Sequence, residues 1–133
     1  MIKTYEIIVP VRLDIPTKHQ KYFQLNLNVY RNIHYFTLNK AKKTFESIVW
    51  HLLDDIPPFK TVELTYTFFP GSYHKADLSN VCCIVDKFFC DALVHKGIIK
   101  DDNYTVVKKI TYCFGEVDLK NDHVKITIKG ELK

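Results

Sequence analysis

Apolar and polar residues alternate most cleanly over residues 60–69. Val62, Leu64, Tyr66 and Phe68 fall on one face, and Glu63, Thr65, Thr67 and Phe69 on the other. That period of two predicts a β-strand with one face in a core. A β-branched run predicts a second strand over residues 3–9, ended by Pro10. Residues 12–21 are polar with one proline and read as loop. Residues 22–36 mix the alternation of Leu25, Leu27 and Val29 with Asn26, Asn28 and Asn32. Asparagine favours turns, so this segment reads as a partly extended, mostly irregular arm. From there the period changes. Ala41, Phe45, Ile48, Val49 and Leu52 recur at helical spacing, which predicts a helix capped by Thr37 or Asn39 and ending near Leu53. Asp54-Asp55-Ile56-Pro57-Pro58 breaks it.

A second helix is predicted from Asn80 to Lys96, stopped by Gly97. At 100° per residue, Val81, Cys82, Val85, Phe88, Phe89, Ala92 and Leu93 form one wide apolar arc. Asn80, Ile84, Lys87 and Asp91 project from one edge of that arc, and Asp86 from the opposite edge. Residues 104–113 predict a strand with Val106, Ile110 and Tyr112 alternating against Lys108. After a polar turn over residues 115–122, Val124, Ile126 and Ile128 mark a final strand expected to pair with the one before it. The element order predicts an α+β fold. It is one domain over residues 1–133, a small mixed β-sheet with helices packed on it.

Composition fits that domain. Apolar residues make up 47% of the chain, and it has only four glycines and five prolines, enough for a core and too few breakers for a disordered chain. No apolar run reaches the roughly 18–20 residues that span a bilayer. The first residues lack the continuous apolar stretch of a signal peptide. Cys82, Cys83, Cys90 and Cys113 form no CxxC pair, and three of them lie in one apolar helix. They read as reduced, buried thiols rather than zinc ligands. The expectation is a cytoplasmic protein with no membrane partner.

Charge adds direction. The net charge is +4, and residues 15–45 hold six basic residues (Lys18, Lys21, Arg31, Lys40, Lys42, Lys43) and no acid. Residues 73–103 hold five acids, all aspartate: Asp77, Asp86, Asp91, Asp101 and Asp102. Short carboxylates beside a basic surface suggest a hard cation next to a polyanion. Asp77, Lys87, Asp91 and Asp102 converge if the helix edge faces the loop that follows. Plainer roles stand beside this one. Asp77 can be an N-cap, Asp101-Asp102 a polar turn, and Lys87–Asp91 a surface ion pair worth well under ~1 kcal/mol.

The stretch ADLSNVCCIVDKFFCDALVHKGIIKDDNYTVV resembles the RusA family of Holliday-junction resolvases, especially its phage and prophage relatives. Asp77-Leu78-Ser79-Asn80, Lys87, Asp91-Ala92-Leu93, Gly97 and Asp101-Asp102 carry the likeness. The segment from Asn28 and Arg31 to Lys43 is similar to the family's arm and basic helix. The resemblance implies a homodimeric, Mg²⁺-dependent endonuclease, also served by Mn²⁺, that acts on branched DNA and takes no small-molecule substrate. It implies Asp77 as the first metal ligand, Asp102 as the last, Lys87 as the catalytic or phosphate-contacting lysine, and Asp91 as an orienting acid. Ser79 stands where the family has a second aspartate, leaving Asp86, Asp91 or Asp101 to supply the missing carboxylate. The spacing from Asn80 to Lys87 is longer than the family's by about one helical turn, which keeps both on one face. Lys18, Lys21, Arg31, Lys40, Lys43 and Lys75 are the expected DNA contacts. Tyr30, Tyr35 and Phe36 are expected in the core or a dimer contact, with stacking on unpaired bases as the alternative. Two other readings are a branched-DNA binder that has lost cleavage and a protein-interaction module.

Overall fold

Strand β1 (Ile2–Pro10) and strand β6 (His123–Leu132) pair antiparallel, with Ile7 opposite Ile126 and Val9 opposite Val124. β6 also pairs antiparallel with β4 (Phe59–Phe69), and β4 runs parallel to β5 (Val107–Phe114). The sheet order is therefore β1-β6-β4-β5. A two-residue ribbon of β2 (Arg12–Leu13) and β3 (Phe23–Gln24) lies beside it. Helices α1 (Leu27–Asn32), α2 (Tyr35–Trp50) and α3 (Leu78–His95) complete the fold. This computed structural model describes residues 1–17, 21–75 and 77–133. Among the described residues, no helix is long and apolar enough to cross a membrane.

The predicted α+β architecture and mixed sheet are present. β4 keeps its predicted strict alternation, with Val62, Leu64, Tyr66 and Phe68 all buried. Ile7 and Val9 of β1 and Val124, Ile126 and Ile128 of β6 extend that buried face. α3 covers it with Val81, Cys82, Val85, Phe88, Phe89, Ala92 and Leu93. Phe88 then meets the other helices, with its ring 6.5 Å from Tyr30 and 5.7 Å from Phe45. α3 is thus sandwiched between the sheet and the α1–α2 pair. For that reason Ile84, placed at a helix edge by the sequence, is only 2% exposed. All four cysteines are free, with Cys82 and Cys90 buried.

The last strand does not pair with the one before it. β6 lies between β1 and β4, and β5 is an edge strand. The connection over residues 115–122 carries the chain across the end of β4. Gly115 donates its N–H to Phe68 O and Asp118 donates to Pro70 O. The Asp118 side chain then closes the turn by accepting from Lys120 N and Asn121 N. β6 has the clean apolar alternation that a central strand needs. β5 buries only its first residue, Val107, as an edge position allows.

The arm over residues 22–36 is extended at β3, as expected, but then turns helical in α1 and the start of α2 instead of staying irregular. Asn26 does not turn the chain away. Its Oδ1 accepts from Asn28 N at 2.8 Å and N-caps α1. His34 does the same for α2, its Nδ1 accepting from Phe36 N at 3.2 Å. α2 therefore starts before Thr37 and Asn39. Ala41, Phe45 and Val49 are buried as expected, whereas Ile48 and Leu52 are exposed. After Trp50 the helix tightens into a 3₁₀ turn over His51–Leu53. The tighter winding turns Leu53, not Leu52, into the core.

The third helix begins at Leu78, two residues earlier than predicted, because Asp77 caps it. Its end follows the prediction. Gly97 has φ +79°, and Ile98 N reaches back to Leu93 O, closing the helix with a left-handed residue that suits glycine. β5 starts at Val107 rather than Tyr104. The backbone N–H groups of Val106 and Val107 both bond Asn103 O, winding residues 103–106 into a turn.

Candidate functional site

Asp86 leaves α3 on the side that meets the sheet, near the middle of the helix. Its Oδ1 accepts from Tyr66 Oη at 2.5 Å and from Cys90 Sγ at 3.3 Å. Tyr66 comes from the buried face of β4, where its neighbours on the strand are apolar. A tyrosine in that row needs an acceptor for its hydroxyl, and Asp86 is that acceptor. Cys90 lies one turn further along the same helix.

An open cleft of about 400 Å³ adjoins this group. Asp86 and Lys87 line one wall, Tyr112 of β5 another, and Tyr30 of α1 a third. Asp102 enters from the loop after α3. Asp86 and Asp102 line the same cleft, so their like charges act on each other. Burial holds the Asp86 carboxyl above the ordinary carboxylate range, and the negative charge of Asp102 pushes the same way. The hydrogen bonds from Tyr66 and Cys90, and the nearby Lys87 charge, oppose that rise. Burial drives the Cys90 thiol and the Tyr66 hydroxyl upward, with Asp86 adding to both, so both stay protonated donors. Tyr112 is pushed to about 12, first by burial and then by Asp86. The Lys87 ammonium stands 5.9 Å from the centre of the Tyr30 ring. Arg31, exposed in the last turn of α1, exerts its charge on Cys83 at the same cleft.

The other expected site residues are placed elsewhere. Asp77 is exposed and N-caps α3, accepting from Ser79 N at 3.2 Å and Ser79 Oγ at 3.0 Å. It lies roughly 13 Å along the helix axis from Asp86, while Asp102 faces the Asp86–Cys90 turn. Asp101 folds back on its own loop, accepting from Asp102 N at 2.7 Å and Asn103 Nδ2 at 2.9 Å. Asp91 is exposed and outside the cleft lining. The expected convergence of Asp77, Lys87, Asp91 and Asp102 is therefore replaced by Asp86, Lys87 and Asp102. Asp86 and Lys87 do leave opposite edges of the helix's buried arc, Asp86 toward β4 and Lys87 toward α1, yet both line the cleft. A 100° step separates the two side chains, and the cleft is wide enough to take both. Among the described residues, no three His, Cys, Asp or Glu side chains group to hold a metal ion. Of the four aspartates expected as ligands (Asp77, Asp86, Asp101, Asp102), Asp86 and Asp102 line the cleft.

Of the expected DNA contacts, Lys18 lies outside the described residues. Lys21 and Lys75 are exposed. Lys40 and Lys43 line a shallow groove on α2 with Phe36 and Asn39. Tyr35 and Phe36 are not core residues: they are 67% and 74% exposed, and the Phe36 ring stacks on His34. Tyr30 is half-buried against Phe88, as expected of a core residue.

Sequence reasoning missed Tyr66, Cys90 and Tyr112. The signal for Tyr66 was present, since a hydroxyl in an otherwise apolar strand face calls for a buried polar partner. The arrangement offers two neighbouring carboxylates, one fixed and one on a loop, beside a lysine and an open approach. The chain matches no protein-family model, and a search of curated proteins gives no match.

Proposed function

We propose that this chain is a Mg²⁺-dependent, structure-selective endonuclease for branched DNA of the Holliday-junction type, with its centre at Asp86, Asp102 and Lys87. The observation that carries this reading is one open cleft lined by Asp86, Asp102 and Lys87 together, in which the Asp102 charge acts on Asp86. Two like charges held together are relieved by a shared cation. Mg²⁺ suits such a pair, because it binds through one or two carboxylates and keeps several waters. When bound, it would supply an activated water and neutralise charge building on a phosphate.

The chain's own residues do the rest. Asp86 and Asp102 hold the cation. Lys87 sits where it can pair with a phosphate oxygen of the scissile strand. Arg31 extends the positive charge along the cleft mouth. Lys40 and Lys43 contact phosphates further along α2, and Tyr35 and Phe36 offer exposed rings on which unpaired bases at a branch can stack. In a homodimer, two such centres would act on two strands of one junction.

A second reading, a branched-DNA binder without cleavage, draws on a specific observation. Asp77 serves as a cap, Ser79 adds no carboxylate, and among the described residues only two acids line the cleft. One assay separates the two. Incubation of a synthetic four-way junction with the protein and Mg²⁺ or Mn²⁺ should give strand cleavage that Asp102→Asn removes. Salt-sensitive junction binding with no cleavage in either metal would establish the second reading. No salt-sensitive binding to any DNA would refute both.

A further inference from the structure

The geometry points to Tyr66 as the positioning residue of the centre: from the rigid middle of the sheet it locks Asp86 Oδ1 and leaves Oδ2 to a divalent cation shared with Asp102. This inference rests on the nuclease reading above and assigns a role to a residue outside the cleft lining.

Tyr66 has no exposed surface. Its ring is held edge-on by Phe89 at 6.4 Å and by Tyr112 at 5.9 Å. Its backbone is paired on both sides, to Tyr112 in β5 and to Ile126 in β6. A side chain so confined presents its hydroxyl at one point, and that point is Asp86 Oδ1, 2.5 Å away. Cys90 Sγ donates to the same oxygen at 3.3 Å. Among the described residues, Oδ2 has no hydrogen-bond partner. Two donors on one oxygen fix both torsions of the aspartate and keep the other oxygen free.

The fold does not require this arrangement. Phenylalanine would fill the Tyr66 site beside Val62, Leu64 and Phe68, and an apolar residue at position 86 would avoid desolvating a charge. A buried hydroxyl tied to a part-buried carboxylate, which stability does not demand, is the kind of local conflict found at functional sites. Asp102, in contrast, rides on a loop whose turn is closed by Asp101. One carboxylate is preset by the sheet, and the other can adjust as the cation binds. A donor behind a ligating carboxylate is also what fixes ligand orientation at characterised metal sites.

The test is Mn²⁺ binding by the full chain, followed by titration calorimetry or by loss of the free-ion paramagnetic signal. Wild type, Tyr66→Phe, Cys90→Ala, Asp86→Asn and the core control Val49→Ala are compared. Tyr66→Phe should weaken Mn²⁺ binding by about tenfold or more. Val49→Ala, which loosens α2 without touching Asp86, should bind as wild type does even where its melting temperature falls further. Wild-type affinity in Tyr66→Phe would overturn the positioning role while leaving the cation reading intact, provided Asp86→Asn has lost binding. Unchanged binding in Asp86→Asn, or none in wild type, would overturn the cation reading itself and the role of Tyr66 with it. If Tyr66→Phe does not fold, Cys90→Ala decides. A several-fold weakening supports the lock, and wild-type affinity refutes it.

Discussion

Replacing Asp86 by asparagine should make the metal-free protein more stable at neutral and alkaline pH. Asparagine keeps an oxygen where Tyr66 and Cys90 donate, so no hydroxyl is orphaned. The hydrogen bond from Tyr66 changes from charge-assisted to neutral, a loss of about 1 kcal/mol. Removing the charge recovers its desolvation, which is several kcal/mol for a fully buried ion and about 2 kcal/mol for one only partly buried. Burial is the leading influence on Asp86, and its net effect is upward, so the desolvation term wins. A net gain of about 1 kcal/mol follows, or about 3–4 °C in melting temperature for a domain of this size. The pH dependence fixes the sign. A carboxyl raised in the folded state stabilises the wild type fully below its unfolded value of 3.8, and that contribution is lost as pH rises through the raised folded value. The advantage of Asp86→Asn should therefore be absent in acid and grow toward pH 8. Asp86→Ala is the counter-case. It leaves the fully buried Tyr66 hydroxyl with no carboxylate acceptor, at a cost of about 1–3 kcal/mol. Thermal unfolding by circular dichroism in EDTA, from pH 4 to pH 8, measures all three. At pH 8 Asn should be the most stable of the three, because Ala gains the same relief from desolvation but orphans the Tyr66 hydroxyl. An Asn variant less stable than wild type at pH 8, or a difference flat with pH, would show that burial of the Asp86 charge costs the fold nothing.

Two further outcomes follow from the fold and the basic face. Gly130→Ala should destabilise the protein by about 3 kcal/mol, read by urea unfolding, because the new methyl would lie 2.1 Å from Thr61 O on the paired strand β4; a loss under about 1 kcal/mol would contradict the pairing described. The double variant Lys40→Gln, Lys43→Gln should weaken junction binding and flatten the slope of log affinity against log salt by up to about 2, with melting temperature unchanged because Lys40 and Lys43 are exposed.

The sequence made some of this legible for clear physical reasons. β4 and α3 were readable because each buries a broad face with a single period, and Gly97 marks the helix end through a backbone conformation that favours glycine. Pairing partners were not readable from alternation. β5 and β6 are adjacent in sequence, yet nothing local shows that the intervening loop crosses the end of β4. The segment over residues 22–36 misled because asparagine and histidine serve equally as turn formers and as helix caps. Asn26 and His34 act as caps only because α1 and α2 have Phe88 to pack against. The site was half legible. The sequence points to Lys87 as a catalytic residue and to Asp86 and Asp102 among the metal candidates, but it gives Asp77 the motif-like position. What promotes Asp86 is a hydroxyl from a strand twenty residues earlier, and no spacing rule along one helix encodes that contact.

In the proposed centre the working carboxylates are Asp86 and Asp102, and Asp77 serves the helix. Mg²⁺-dependent cleavage of a four-way junction by Asp86→Asn and Asp77→Asn, measured side by side, separates this centre from one built on Asp77. Asparagine caps a helix as well as aspartate does, so Asp77→Asn removes the charge without removing the cap. Asp86→Asn should lose activity by at least about 100-fold, since even a residue behind a metal ligand is worth about 10–100-fold, while Asp77→Asn should cleave at close to the wild-type rate. Loss of cleavage in Asp77→Asn with normal cleavage in Asp86→Asn would contradict the account.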